Sequence, residues 1–477
     1  MLTFLTICNF LLVIGFTIRI LLREDLSPPA RLAWFIVLVI LPYAGIVIYF
    51  LFGEVDIGHK ASNRYSEIFE AIEKTSDDLK GDPATINEAI DPLYRPAFEY
   101  AASINGFRPV TGNTARLMAS PQETVETMVS DIDAAQDHVH VLFYIWLDDA
   151  TGTALAEALI RATARGVTCR AMADGLGSRS LVGSALWRKM EEAGVYMAVA
   201  LPLSNPIRTI LTSRLDLRNH RKITVIDGDI TYCGSRNSAD PEFRVKPKFA
   251  PWVDIMLRIK GPVVVQNQLL FISDWMAGTG EDLISFPKAT DGMKDGFPAV
   301  VVGDGPTERR GATPQLFASL IACARQRITI STPYFVPDAI LMEALRAASY
   351  RGVDITLILP SRNDSWVVAA ASRSYYRGLL EAGCKIREFQ AGLLHAKTYT
   401  MDGLVTLLGS SNLDLRSFDL NYENNILLQD EAVTREVEVR QQDYMSQSVP
   451  ISLSDVLSWS PRRRVWQNVM ATIGPIL

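Results

Sequence analysis

Paired cysteines and an excess of positive charge are both missing from this sequence of 477 residues. Its five cysteines are scattered singly, and an odd number without a C-x-x-C pair argues against a disulfide framework and a structural zinc site. With 47 basic and 53 acidic residues, the formal net charge of -6 gives no electrostatic basis for nucleic-acid binding. Hydrophobic residues make up 48% of the chain, which excludes a disordered protein and allows two or three domains.

Two apolar runs dominate the N-terminus. Residues 2–18 carry no charge, and neither do the 22 residues 32–53. As a helix the second run would be about 33 Å long, enough to cross a hydrocarbon core of about 30 Å. A cleaved signal peptide fits the first run poorly, because no positive charge precedes it and no small-x-small cleavage site follows. The sequence therefore predicts a two-helix transmembrane hairpin over residues 1–53.

The basic residues around the two runs leave the orientation of this hairpin open. Three arginines flank the connection between the runs, which favours a cytoplasmic loop, and three basic residues follow the second run and favour the opposite orientation. The first set is Arg19, Arg23 and Arg31, and the second is Lys60, Arg64 and Lys74.

The segments that flank the predicted catalytic domains have distinct compositions. Residues 54–105 are polar and acidic with helix-forming stretches, and we predict a linker or helical collar there. In residues 451–477 the arginines 462–464 stand beside Trp466 and several aliphatic residues. This pattern predicts a basic amphipathic segment that lies on an anionic surface or packs as a terminal helix on the preceding domain.

Between these segments the chain contains the same unit twice. A strand-like run at 139–144 is echoed at 328–335, and each run is followed by a helical stretch that closes on Arg-Gly-Val, at 165–167 and at 351–353. Glycine suits a left-handed helix end. The strand, helix, strand order predicts parallel crossover units, hence two α/β halves, which we delimit as residues 106–295 and 296–450.

Each half carries one copy of the pattern H-x-K-x4-D-x6-G-S-x-N. Two of the five histidines of the chain stand at matched places in the repeat, and the spacing to the asparagine is identical. Two such copies are very unlikely to arise by chance. The first copy is His220, Lys222, Asp227, Ser235 and Asn237, and the second is His395, Lys397, Asp402, Ser410 and Asn412.

Strand geometry predicts where these side chains point. With a period of two, His220 and Lys222 share one face of a strand over residues 220–227, whereas Asp227 faces away and forms a hairpin turn with Gly228. The second copy repeats this arrangement. We count Asp227 and Asp402 among the catalytic residues of the motif, with turn formation as the alternative.

Histidine and lysine side by side, with serine and asparagine returning on the next strand, predict a cradle for a phosphate group. Two such strands facing each other would place two imidazoles around one phosphorus atom, one as nucleophile and the other as acid and base. No carboxylate-rich pattern suggests a metal, and we predict neither a metal nor another cofactor.

These residues resemble the duplicated motif of the phospholipase D superfamily, and more narrowly the bacterial cardiolipin synthases over essentially the whole chain. The similar segments are residues 41–54, 143–146, 216–222, 332–337 and 392–395. The resemblance implies an α/β fold of two repeated phospholipase D-like domains with mixed central sheets flanked by helices, behind the transmembrane hairpin. It also implies a phosphatidyltransferase that joins two phosphatidylglycerol molecules into cardiolipin and glycerol through a phosphatidyl-histidine, without a metal.

The resemblance further implies a carboxylate downstream of each motif that orients a histidine. Glu423 matches it in the second half and Asp254 is the best match in the first. Family habit places the nucleophile in the first half, which makes His220 the nucleophile and His395 the acid. One departure is Arg236, where an apolar residue is usual in the family.

Two other functions share parts of this pattern. A phospholipase D-type hydrolase of phospholipids or nucleic acids would carry the same motifs, and a non-enzymatic membrane adaptor would carry decayed ones. We predict the transferase, with phosphatidylglycerol and cardiolipin as lipid partners and the bacterial inner membrane as its location. Nucleic acid is not an expected partner, and the sequence indicates no protein partner.

Overall fold

A computed structural model describes residues 2–24, 26, 28–49, 53, 59–75, 79–202, 217–287 and 292–472. The chain divides into two compact units. The N-terminal segment up to residue 59 forms the body of one, and the described residues that follow form the other.

The described residues of the N-terminal unit form three helices. They are α1 (Leu2–Leu21), α2 (Pro28–Ile40) and α3 (Pro42–Ile48). Tyr49 is buried with Ile20 and Leu38, and its ring contacts Trp34 edge-on at 5.1 Å. The second apolar run is not one helix, because Pro42 has no N–H to donate and the helix restarts at that proline.

Within the described part of the chain, no helix is both long enough and apolar enough to cross a membrane. The predicted hairpin is thus helical, but its second run is divided into two helices, and its transmembrane character stays a prediction.

The first half of the second unit starts with a helical collar and continues as alternating strands and helices. Its strands are β1 (Val110–Leu117), β2 (His138–Phe143), β3 (Thr168–Asp174), β4 (Tyr196–Ala200), β5 (Arg218–Asn219), β6 (Lys222–Ile226), β7 (Ile230–Gly234), β8 (Trp252–Val253) and β9 (Met256–Lys260). Its helices are α4 (His59–Thr75), α5 (Thr85–Ala89), α6 (Arg95–Asn105), α7 (Pro121–Ala134), α8 (Ala150–Ala164), α9 (Ala185–Glu192) and α10 (Val263–Thr279).

The second half repeats this order. Its strands are β10 (Phe297–Asp304), β11 (Arg327–Ser331), β12 (Phe335–Val336), β13 (Asp354–Pro360), β14 (Lys385–Phe389), β15 (Leu393–Leu394), β16 (Thr398–Met401), β17 (Val405–Gly409), β18 (Leu413–Asp414), β19 (Asn421–Gln429) and β20 (Ser448–Ile451). Its helices are α11 (Ala312–Cys323), α12 (Ala339–Tyr350), α13 (Trp366–Ser374), α14 (Tyr376–Glu381), α15 (Leu415–Asp419), α16 (Glu431–Ser446), α17 (Leu453–Leu457) and α18 (Pro461–Thr472).

The predicted parallel crossovers are confirmed in both halves. Strand β2 pairs in parallel with β3 across helix α8, and β11 pairs in parallel with β13 across α12. Each crossover helix starts at an aspartate that accepts a backbone N–H, Asp149 in the first half and Asp338 in the second. Each is followed by a glycine in the left-handed region, since Gly166 and Gly352 both have φ of 91°.

The two halves share one sheet rather than forming two separate ones. Where the structure describes the chain, sixteen strands join in a single mixed sheet, in which β10 of the second half lies between β1 of the first half and β19. The main hydrophobic core likewise contains residues of both halves, such as Ile223 and Val225 of β6 and Leu407 of β17. This continuity brings the two copies of the motif to the middle of one structure.

Candidate active site

Two short parallel strand pairs place each histidine beside a carboxylate of the other half. Strand β5 pairs with β19, where Asn219 lies opposite Tyr422, and the next N–H, of His220, donates to the carbonyl of Tyr422 at 2.9 Å. Strand β15 pairs with β8 in the same way, and the N–H of His395 donates to the carbonyl of Val253 at 2.8 Å. Both histidines therefore stand directly after a strand that crosses into the opposite half.

The imidazoles and carboxylates form two crossed pairs. The Nδ1 atom of His220 lies 2.8 Å from Oε2 of Glu423, and Nδ1 of His395 lies 2.6 Å from Oδ1 of Asp254. All four side chains are almost completely buried. The structure thus joins the predicted histidines to the predicted carboxylates, but each carboxylate comes from the half that does not carry its histidine.

The serines of the motif orient these carboxylates. Ser235 Oγ donates to Asp254 Oδ1 at 2.6 Å, and Ser410 Oγ donates to Glu423. Ser417 Oγ donates a further bond of 2.9 Å to Oε1 of Glu423. The two motif serines therefore hold the carboxylates in place by hydrogen bonds, and their contact with phosphate stays a prediction.

The asparagines of the motif hold the loops of the site. Asn237 Oδ1 accepts the backbone N–H of Ile145 at 3.1 Å. Asn412 donates from Nδ2 to Ser417 Oγ at 3.1 Å, which links the second motif to the residue that orients Glu423. Oδ1 of Asn412 is buried and has no hydrogen-bond partner among the described residues.

The two motif lysines are buried and anchored alike. Lys222 Nζ donates to the carbonyl of His220 at 2.5 Å, and Lys397 Nζ donates to the carbonyl of His395 at 2.6 Å. Burial lowers the pKa of Lys222 to about 8 and that of Lys397 to about 7, against the opposing attraction of the nearby carboxylates. The site therefore carries two ammonium groups whose charge is readily lost above neutral pH.

The histidines are neutral at pH 7 in this environment. Burial lowers the pKa of His220 to about 4, although Glu423 opposes the shift, and burial also lowers the pKa of His395. Burial alone would raise the pKa of Asp254, but the nearby His395, Lys397 and Ser235 outweigh it and lower the pKa to about 2. Each neutral imidazole can then donate a hydrogen bond from its Nδ1–H group to an ionised carboxylate, and its lone pair is on Nε2.

The two aspartates of the motif do not lie in this cluster, and their catalytic role stays a prediction. The carboxylate of Asp227 accepts three backbone N–H groups of residues 136–138 at 2.8–2.9 Å. Asp402 does the same for residues 325–327 at 2.7–2.9 Å. Both lie in the turn at the far end of the motif strand with positive φ, so the alternative of turn formation holds.

Several residues of the site were not assigned a role from the sequence. The ring of Tyr144 packs against His220 at 4.9 Å, and the ring of Trp252 lies 4.6 Å from His395. Tyr144 stands in a segment that resembles the family, and Trp252 stands two residues before the carboxylate Asp254, which were the available signals. Arg221 is buried between the motif residues, where it donates to the carbonyl of Glu423 at 3.1 Å and pairs with Asp274 at 2.9 Å.

Comparison with known proteins gives the chain its family. The family model described as "Cardiolipin synthase, PLD-like domain" matches residues 128–267 and 317–444, once for each half. A second model, "Phospholipase_D-nuclease N-terminal", matches residues 11–54. Cardiolipin synthase A of Edwardsiella ictaluri (strain 93-146) is 33% identical, over 98% of this chain and 97% of that protein. This chain belongs to the cardiolipin synthase family.

Other comparisons agree with this membership. Cardiolipin synthase A of Klebsiella pneumoniae (strain 342) is also 33% identical, over 98% of both chains. The crystal structure of phosphatidylserine synthase from Haemophilus influenzae Rd KW20 superposes with a TM-score of 0.59 at 13% identity, and covers 81% of this chain and all of that one. The likeness to that structure shows the fold. Family membership over the full length confirms the prediction that this cardiolipin synthase relative is a phosphatidyltransferase of the phospholipase D superfamily.

Proposed function

We propose that residues 106–295 and 296–450 supply the two half-sites of one catalytic centre, which transfers a phosphatidyl group between two phosphatidylglycerol molecules. The observation that carries the proposal is the pair of crossed histidine–carboxylate contacts, 2.8 Å for His220 and 2.6 Å for His395. Each histidine also feels the charge of the other half's lysine, which supports a single shared site. Cardiolipin and glycerol are the products.

In the first step Nε2 of His220 attacks phosphorus of the first phosphatidylglycerol. The bond from phosphorus to the glycerol oxygen breaks, and that oxygen takes a proton from Nε2 of His395. The negative charge of the bound phosphodiester and of Asp254 favours the protonated form of His395 before this step. The chain then holds a phosphatidyl group on His220, and free glycerol departs.

In the second step a hydroxyl group of the second phosphatidylglycerol gives its proton to Nε2 of His395. Its oxygen attacks the phosphorus, the bond to Nε2 of His220 breaks, and cardiolipin is released. Lys222 and Lys397 supply positive charge to the phosphate oxygens in both steps. With a pKa of about 4, His220 is neutral before the first step, and the neutral form is the one that attacks.

The apolar N-terminal runs support a further part of the proposal. Residues 1–53 hold the enzyme in the bacterial inner membrane through two transmembrane helices, and the bilayer presents both lipid substrates to the site. Because both substrates are confined to the membrane, an anchored enzyme meets them at a much higher effective concentration.

The function is tested by supplying purified full-length protein with phosphatidylglycerol labelled in its headgroup glycerol and in its acyl chains. Transfer to a lipid acceptor gives labelled cardiolipin and one labelled glycerol for each cardiolipin formed. Transfer to water, the reaction of a phospholipase D-type hydrolase, gives phosphatidic acid and glycerol instead. Phosphatidic acid as the sole lipid product would contradict the transferase, and His220→Ala serves as the inactive control.

A further inference from the structure

Helices α13 and α18 together present an exposed aromatic surface. The rings of Trp366 and Trp466 stack at 5.6 Å with an interplanar angle of 11°, although the two residues are 65% and 47% exposed. Val465 and Val469 beside them are 62% and 46% exposed. We call these four residues, together with Arg462, the tryptophan surface. A contiguous apolar group of this kind on a folded protein indicates an interaction site.

Other residues of α18 pack that helix onto the fold. Gln467 and Met470 face inward, and Met470 is buried against Ala370 and Ala371 of α13. Residues 462, 465, 466 and 469 follow the spacing i, i+3, i+4, i+7, so they occupy one other face of the same helix. The helix is therefore already docked by one face, while a second apolar face is left to solvent.

The charge beside the tryptophan surface is positive, in a chain whose net charge is -6. Arginines 462–464 are consecutive and exposed. The guanidinium of Arg463 lies over the ring of Trp459 at 3.9 Å, whereas Arg462 and Arg464 have no ion-pair partner among the described residues. Unpaired arginines beside tryptophans fit the headgroup region of an anionic bilayer, where the ring sits at the interface and the cation meets phosphate.

We propose that the tryptophan surface docks on the surface of an anionic membrane, as a contact additional to the N-terminal segment. A chain of contacts links it to the candidate active site. Asp364, two residues before Trp366, accepts the hydroxyl of Tyr334 at 2.6 Å and pairs with Lys246 at 2.6 Å. Both Asp364 and Tyr334 interact electrostatically with Tyr144, whose ring packs on His220. Docking here would place Asp364 and its partners close to the lipid surface.

A fluorescent probe tests the contact directly. Val465→Cys, in full-length protein with Cys8→Ser, takes an environment-sensitive dye, because the other four cysteines, at 169, 233, 323 and 384, are buried. The protein is reconstituted into phosphatidylcholine vesicles with or without phosphatidylglycerol, and brominated lipid acts as quencher. The matched control is Tyr196→Cys, at an exposed position on β4. Strand β4 lies at one edge of the sheet and β20 lies at the other.

We expect severalfold stronger quenching at position 465 in phosphatidylglycerol vesicles than in phosphatidylcholine alone, and no such difference at position 196. Arg462→Glu with Arg464→Glu should abolish the difference, whereas Arg188→Glu with Lys189→Glu in α9 should preserve it. Equal quenching in both lipids, or none, would overturn the proposal. Emission that rises with protein concentration in detergent would also overturn it, in favour of a second copy on this surface. The probe does not require turnover, so its result is independent of the cardiolipin assay.

Discussion

At the scale of single residues, the crossed carboxylates assign a different partner to each histidine. If His220 attacks phosphorus, Glu423→Gln should block attack, because the amide no longer stabilises the cationic state of His220. Asp254→Asn should spare attack when the leaving group needs no proton. With phosphatidyl-p-nitrophenol, we expect a burst of p-nitrophenol and a trapped lipid adduct from Asp254→Asn, and neither from Glu423→Gln. Turnover of phosphatidylglycerol should fall in both by about three to four orders of magnitude.

Two alanine variants serve as reference points for this experiment. His395→Ala should behave like Asp254→Asn, and His220→Ala should behave like Glu423→Gln, because each pair removes parts of the same contact. A burst from Glu423→Gln and none from Asp254→Asn would reverse the two roles. An adduct on both alanine variants would rule out a single nucleophile, and near-normal turnover by Glu423→Gln would remove that residue from the site.

The buried lysines predict weaker lipid binding at alkaline pH, and the buried His220 predicts a slower chemical step at acid pH. As pH rises through about 7 and then about 8, Lys397 and Lys222 lose their charge, so KM for the lipid should rise. As pH falls toward about 4, His220 takes up a proton and loses its nucleophilic lone pair, so kcat should fall. Rates measured over a pH series with phosphatidylglycerol micelles would separate the two limbs. Lys397→Met should lose much of the alkaline rise in KM, and an unchanged alkaline limb in that variant would contradict the assignment.

At the scale of elements, the sequence predicted the turns of the motif better than its strands. Asp227-Gly228 and Asp402-Gly403 form the predicted turns, with positive φ at all four residues. The predicted strand over 220–227 is shorter, since β6 starts at Lys222. His220 leaves that strand because its N–H bonds to Tyr422 of β19. Alternation of residue types shows which side chains share a face of a strand. It does not show which distant strand accepts the hydrogen bonds of the backbone N–H groups.

Because residue alternation does not identify distant strand partners, the sequence could not predict that each histidine pairs with the carboxylate of the other half. The resemblance indicated Asp254 and Glu423 correctly as the carboxylates beside the histidines. Their partners depend on the register of β5 with β19 and of β15 with β8, and these contacts join residues about 200 and 140 positions apart. Within one half, sequence proximity suggests the wrong partner, since only the shared sheet brings the halves together.

The turn aspartates give a prediction at the scale of this element. Asp227→Asn leaves one carbonyl oxygen for the three N–H groups of residues 136–138, so the free energy of unfolding should fall by about 2 kcal/mol or more. The kcat of the folded fraction should stay near that of the original protein, because the carboxylate does not touch His220. Denaturant unfolding and active-site-normalised rates would check this. Asp254→Asn is the contrasting variant. If Asp227→Asn lost as much kcat as Asp254→Asn, Asp227 would be a catalytic residue.

At the scale of the whole molecule, the continuous sheet explains why the duplicated halves act as one. Strand β10 is held by β1 on one side and by β19 on the other, and β19 itself carries Glu423 near its start. A shift between the halves would therefore change both histidine–carboxylate distances at once. The helical collar is tied to the same region, since Tyr65 of α4 stacks on Tyr422 at 5.1 Å. Fold and site are thus supported by the same contacts.

The proposed anchor can be separated from the catalytic body on this basis. Deletion of residues 1–53 should leave a folded protein, because the second unit has its own core and keeps α4. In detergent micelles, where lipid is supplied throughout the solution, its activity should stay close to that of the full chain. On phosphatidylglycerol vesicles it should fall by about tenfold to a hundredfold, since the bilayer no longer holds enzyme and substrate together. Equal rates on vesicles would show that the hairpin has no role in substrate access. The shortened chain should keep some activity on vesicles. If Arg462→Glu and Arg464→Glu lower that remaining activity further, the tryptophan surface accounts for it.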